Sequence, residues 1–71
     1  MMTATIDILV NGEQRAVPDG ASLLELLETL QLDARTVVVE HNRTIVRRSD
    51  LAQVRVSPGD MVELVHFVGG G

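Results

Sequence analysis

Residues 5–30 read TIDILVNGEQRAVPDGASLLELLETL, and the apolar period changes partway along. In Thr5–Val10 the apolar Ile6, Ile8 and Val10 fall on every second position, the spacing of a strand with one buried face. Asn11-Gly12 follows, a pair that accepts the positive φ values of a two-residue hairpin turn. Gln14–Val17 is then the returning strand, closed by Pro18-Asp19-Gly20, because proline has no amide to give to a ladder. From Ser22 the spacing becomes helical: Leu23, Leu26, Leu27 and Leu30 form one stripe, with Leu24 off its centre. Ser22 and Glu25 stand at capping-box spacing, in which each side chain accepts from the other residue's amide. The expected helix ends near Gln31.

Thr36–Glu40 (TVVVE) reads as a buried strand, His41-Asn42-Arg43 as a turn and Thr44–Val46 as a short strand. Arg47–Gln53 is polar except for Leu51, which is expected to plug the core from a loop. Ser57-Pro58-Gly59-Asp60 carries proline and glycine at the two central positions of a turn. Met61–Phe67 (MVELVHF) is the last strand. The order β-β-α-β-β-β gives an α+β fold in which the leucine stripe covers one face of a mixed sheet. The crossover through the helix is right-handed. This order at this length resembles the β-grasp, or ubiquitin-like, fold, which places the last strand parallel to the first near the sheet centre.

A chain of 71 residues forms one small domain with little volume to spare for an enclosed active site. With 45% apolar and 23% charged residues it is globular rather than disordered. The net charge of −4, with Phe67 the only aromatic residue, argues against nucleic-acid binding and favours basic protein partners by steering. The absence of cysteine excludes disulfides, thiolate metal sites and cysteine catalysis. All six basic residues are arginine. No apolar run approaches the roughly 20 residues of a membrane span, and no basic start precedes an apolar stretch. The expectation is a cytoplasmic protein, monomeric when free, with no membrane partner.

The informative feature is the ending. A globular unit over residues 1–66 is followed by a flexible tail over residues 67–71, in which Gly69, Gly70 and Gly71 close the sequence. Glycine loses the most backbone entropy on ordering and packs no side chain, so it stabilises nothing there. Glycine-rich ends are common, and a frayed end is the plain reading. The functional reading is that Val68, Gly69 and Gly70 thread a partner's active-site channel. From Phe67 to Gly71 the extended reach is roughly 17 Å at about 3.3–3.6 Å per residue. The reactive group is then the α-carboxylate of Gly71. A carboxylate is a poor electrophile, but reaction with ATP gives an acyl-adenylate, from which a sulfur nucleophile displaces AMP to leave a thiocarboxylate. Without cysteine the chain cannot hold sulfur as a persulfide, so a carrier role falls to its terminus.

Val10-Asn11-Gly12-Glu13, Pro18-Asp19-Gly20-Ala21-Ser22 with its leucine-rich helix, Val37-Val38-Val39-Glu40, Gly59-Asp60 and Val65-His66-Phe67-Val68-Gly69-Gly70-Gly71 together resemble the ThiS family of sulfur carriers in thiamin thiazole biosynthesis. The resemblance runs from about Ile6 to Gly71. The double glycine alone is shared with ubiquitin and the molybdopterin carrier MoaD, whereas the ending Phe-Val-Gly-Gly-Gly is more specific. The resemblance implies that a ThiF-type enzyme adenylates Gly71 with ATP and that a cysteine desulfurase supplies the sulfur. It further implies that the thiocarboxylate at Gly71 donates that sulfur in thiazole synthase, ThiG. No bound cofactor is expected. One departure stands out: this family usually has Asn-Gly at the turn occupied here by Asn42-Arg43, and arginine is uncommon at positive φ.

On the last strand Val62 and Leu64 are expected to face the helix, leaving Met61, Val65 and Phe67 outward as a docking patch beside the tail, with Leu9 joining it. Scattered surface apolars are the plain alternative. His41 and His66 read as surface histidines and no metal site is expected. Arg47-Arg48 reads as a solvated loop, and Asp33, Asp50 and Asp60 as turn and cap residues. No catalytic constellation is spaced on these elements. The chain therefore reads as a protein co-substrate, not an enzyme. The rivals are a carrier for another pathway, a protein modifier joined through Gly71, and an interaction module with incidental glycines.

Overall fold

The computed structural model describes residues 4–67. Strand β1 (Thr5–Val10) and strand β2 (Glu13–Pro18) form the expected hairpin, paired from Thr5 opposite Pro18 to Val10 opposite Glu13. At its tip Asn11 (φ 50°) and Gly12 (φ 82°) both turn left-handed, which matches the twist of the strands they join. β2 extends one residue beyond the expected span at each end, because Pro18 sits at the last position of an edge strand, where no amide is required of it.

Helix α1 (Leu23–Thr29) begins with a complete capping box. The Glu25 amide donates to Ser22 Oγ at 3.0 Å, and the Ser22 amide donates to Glu25 Oε1 at 2.9 Å. Two further amides of the first turn are satisfied from the loop: Leu23 donates to the Val54 carbonyl and Leu24 to that of Leu51. The helix is shorter than its leucine pattern. Leu30 is the C-cap and Gln31 turns left-handed (φ 60°), so that its amide reaches the Glu28 carbonyl at 3.0 Å while the Leu32 amide reaches that of Leu27 at 2.9 Å. This paired closure ends the helix without glycine, and Leu32 packs against the core beyond it.

A short 3₁₀ turn (Ala34–Thr36), capped by Asp33, leads into strand β3 (Val37–His41). Hydrogen bonds from the Arg35 side chain and amide hold the Asp33 carboxyl down at about 2. Thr36 closes the 3₁₀ turn by donating its amide to Asp33, so the strand starts and ends one residue later than the sequence suggests. His41 consequently belongs to β3, and the turn to strand β4 (Thr44–Val46) is the two residues Asn42 (φ 50°) and Arg43 (φ 71°). Strand β5 (Met61–His66) follows the Ser57–Asp60 turn, closed by the Asp60 amide on the Ser57 carbonyl at 3.0 Å with Gly59 at φ 82°.

The sheet order is β2-β1-β5-β3-β4, with β5 parallel to β1 and antiparallel to β3. One face carries Ile8, Val10, Val17, Val37, Val39, Val62 and Leu64 against Leu23, Leu26 and Leu27 of α1. Leu51 fills this core from the loop and is 1% exposed. α1 covers this face, and the opposite face of the sheet carries exposed apolar residues.

Arg43 marks a local strain. A side chain with a Cβ in the left-handed region costs on the order of 1 kcal/mol relative to glycine. Replacement Arg43→Gly is expected to raise the unfolding free energy by about 1 kcal/mol in urea titration, with no change in the slope.

Candidate docking face on the last strand

β5 is the strand that leads to residues 68–71, and its position is fixed by two asparagines from the two hairpin turns. On one side the Asn11 amide donates to the Val62 carbonyl at 2.9 Å. Its side chain then acts as an extra strand residue: Oδ1 accepts from the Leu64 amide at 2.8 Å and Nδ2 donates to the Leu64 carbonyl at 3.3 Å. On the other side the Asn42 amide donates to the Met61 carbonyl and Asn42 Oδ1 accepts from the Met61 amide, both at 2.8 Å. Each asparagine thus serves twice, once for the left-handed turn conformation it tolerates and once for the side-chain amide. The ladder reaches beyond β5, because the Phe67 amide donates to the Thr36 carbonyl at 3.1 Å.

Along this strand the side chains alternate. Val62 and Leu64 are buried against the helix side. Met61, Val65 and Phe67, named from the sequence as docking residues, are exposed at 39%, 55% and 51%. Leu9 lies opposite Met61 on β1 and is exposed at 38%. Ile45, on β4, is exposed at 65% and was not singled out from the sequence, where a three-residue strand gives too short a pattern to assign faces. A shallow hollow of about 410 Å³ adjoins Leu9, lined by Asp7, Gln14, Pro58 and Gly59 among others. The sequence-derived residues Val68, Gly69, Gly70 and Gly71 lie outside the described residues.

One residue differs from its sequence reading and a second does more than was read for it. His41 is not a surface histidine: it is half-buried at the end of β3, with Nε2 2.6 Å from Asp60 Oδ2. Asp60 is a turn residue, as read, but it also gathers a small network. Its Oδ2 accepts from the Ser57 amide at 2.8 Å and its Oδ1 from Asn42 Nδ2 at 3.2 Å. Burial alone raises the Asp60 carboxyl pKa, but the hydrogen bonds from His41, Ser57 and Asn42 outweigh it and hold the carboxyl below its ordinary value. The network ties the start of β5 to the β3–β4 turn. Among the described residues no group of three His, Cys, Asp or Glu side chains could hold a metal ion. No described helix is long and apolar enough to cross a membrane.

Because the folded Asp60 carboxyl lies below its ordinary value of 3.8, its contribution is full above that pH and is lost as pH falls through the lower folded value. Asp60→Asn is expected to lower stability at neutral pH by about 1–2 kcal/mol and to flatten the loss of stability below about pH 4, measured by urea unfolding across that range.

The sequence profile of the ThiS family matches residues 8–71. A thiazole synthase of Paramagnetospirillum magneticum is 44% identical over 64 residues, covering 90% of this chain, which spans only 20% of that protein. The sulfur carrier protein ThiS of Bacillus subtilis is 38% identical over 53 residues, covering 75% of this chain and 80% of that one. The crystal structure of a thiamine biosynthesis protein (ThiS) from Geobacter metallireducens superposes with a TM-score of 0.81 at 33% identity, over 93% of this chain and all of that one. The architecture derived above is therefore shared along nearly the whole chain.

Proposed function

The chain belongs to the ThiS family, and from that premise we propose that it is a sulfur carrier of thiamine biosynthesis whose carrying group is the α-carboxylate of Gly71. The observation that carries this reading is the course of β5. That strand is bonded on the β1 side as far as Leu64 and on the β3 side as far as Phe67, it carries exposed apolar residues, and it leads in sequence to Val68-Gly69-Gly70-Gly71. A rigid body that presents a side-chain-free segment suits a protein whose end must enter another protein's active site.

Activation proceeds in two displacements. A Gly71 carboxylate oxygen attacks the α-phosphorus of ATP, and pyrophosphate leaves, giving the acyl-adenylate. A sulfur nucleophile from a cysteine desulfurase attacks the acyl carbon and AMP leaves. That nucleophile is the outer sulfur of a persulfide, so the product is an acyl disulfide with the donor. A thiol then attacks the donor's sulfur, the S–S bond breaks and the terminus leaves as a thiocarboxylate, with thiol and donor joined in a new disulfide. The thiocarboxylate is the nucleophile that hands its sulfur to the acceptor in thiazole synthase, ThiG. A ThiF-type enzyme binds the ATP and catalyses adenylation, so the carrier itself acts as a co-substrate and needs no resident cofactor. The absence of cysteine supports the terminal site, since no side chain could hold a persulfide. Val68, Gly69 and Gly70 fill the partner's channel, and Met61, Val65 and Phe67 dock the body outside it. The carrier works in the cytoplasm as a monomer between encounters. The likeness to thiazole synthases supports the choice of pathway.

Incubation with ATP, a ThiF-type enzyme and a sulfur source is expected to shift the intact mass by the replacement of one oxygen with sulfur, mapped by fragmentation to Gly71. An unshifted mass, with the same enzyme active on a control carrier, would contradict the reading.

A further inference from the structure

The sequence holds two asparagines, Asn11 and Asn42, and both close a hairpin turn while bonding to β5. They differ in the residue that follows: Asn42 precedes Arg43, and Asn11 precedes Gly12. An asparagine side chain can be attacked by the backbone nitrogen of the next residue, and a side chain on that residue obstructs the approach. Gly12 offers no obstruction. A Cβ placed on it would meet nothing within 4 Å, so the space beside its backbone is open. Asn11 is itself exposed, so water reaches it.

The folded chain opposes that attack with three bonds. The Asn11 amide donates to the Val62 carbonyl at 2.9 Å, Oδ1 accepts from the Leu64 amide at 2.8 Å and Nδ2 donates to the Leu64 carbonyl at 3.3 Å. Both polar atoms of the side chain are thus turned onto β5, and Cγ must leave that position before the Gly12 nitrogen can reach it. Release requires the hairpin tip to part from β5, where the pairs in register are Leu9 with Met61 and Val10 with Val62.

We propose that Asn11 is a site of spontaneous deamidation gated by the contact between the hairpin tip and β5. When the contact opens, the Gly12 nitrogen bonds to Asn11 Cγ, the Cγ–Nδ2 bond breaks, and ammonia leaves with the proton that the Gly12 nitrogen gives up. Water then opens the succinimide ring. Opening at Cγ gives aspartate, and opening at the backbone carbonyl gives isoaspartate, in which the main chain runs through the side chain. Neither product restores the latch. An ionised aspartate has no hydrogen to donate and sets a carboxylate oxygen against the Leu64 carbonyl. Isoaspartate lengthens a two-residue turn whose length fixes the hairpin register. Opening permits the reaction, and the reaction keeps the contact weak.

The test begins with incubation at mildly alkaline pH, folded and in guanidinium chloride above the unfolding midpoint, with peptide mapping of the mass change from the exchange of NH for O. Conversion of Asn11 is expected to be at least about tenfold slower in the folded chain, because it is confined to opened molecules. Equal rates in the two conditions would overturn the gate. No conversion in denaturant, over a period in which an unstructured Asn-Gly peptide converts, would overturn the site. The variant Asn11→Asp reads the consequence. It is expected to melt roughly 4–8 °C lower than the parent at neutral pH. The deficit is expected to narrow below about pH 4, where a protonated carboxyl again donates to the Leu64 carbonyl. That sign follows because the latch favours the protonated form, so its contribution is present at low pH and lost as pH rises. An unchanged melting temperature at neutral pH, or a deficit equal at every pH, would overturn the latch. If the variant does not fold at neutral pH, its refolding on acidification gives the same reading, and failure to refold there would overturn the latch.

Discussion

The parallel contact between β5 and β1 is the constraint on which the rest of the molecule depends. Only two residue pairs are in register there, Leu9 with Met61 and Val10 with Val62, and the strand would be loosely held by those alone. The hairpin tip extends the contact. Asn11, already committed to a left-handed turn, turns its side-chain amide onto both backbone groups of Leu64. β3 secures the opposite edge from Val37 to His41, and Asn42 repeats the device at the Met61 end. With β5 fixed from both sides, its burial alternation follows. Val62 and Leu64 complete the core, and Met61, Glu63 and Val65 form the open face. One strand therefore stabilises the fold, displays exposed apolar residues and leads in sequence to the terminal glycines.

The buried polar chemistry serves the same end. The His41–Asp60 contact, with Ser57 and Asn42, joins the turn before β5 to the turn after β3. These groups set where β5 begins. The function proposed above leaves the chemistry to the terminus, which fits a small chain whose interior is filled by aliphatic side chains.

Much of this was legible in the sequence because local signals and the tertiary pattern agree. The alternation in Thr5–Val10, the Asn11-Gly12 turn, the Ser22–Glu25 box and the leucine stripe each point to the element that forms. Leu51 could be placed in the core because it is the one large apolar residue in a polar stretch. The helix end was less legible, since its closure uses Gln31 where glycine is the usual signal. The role of His41 was hidden because its partner Asp60 is 19 residues away, and no pattern within one element reports a contact across strands. The exposure of Met61, Val65 and Phe67 was legible because alternation along a single strand decides which face they take.

The central claim is that the fold delivers the terminus and the terminus carries the chemistry. The most direct measurement is sulfur transfer to the thiazole product in a reconstituted reaction, using a chain from which Gly70 and Gly71 have been removed, with thermal unfolding recorded alongside. The account predicts an unchanged melting temperature and no transfer. Transfer that persists in the shortened chain would contradict it.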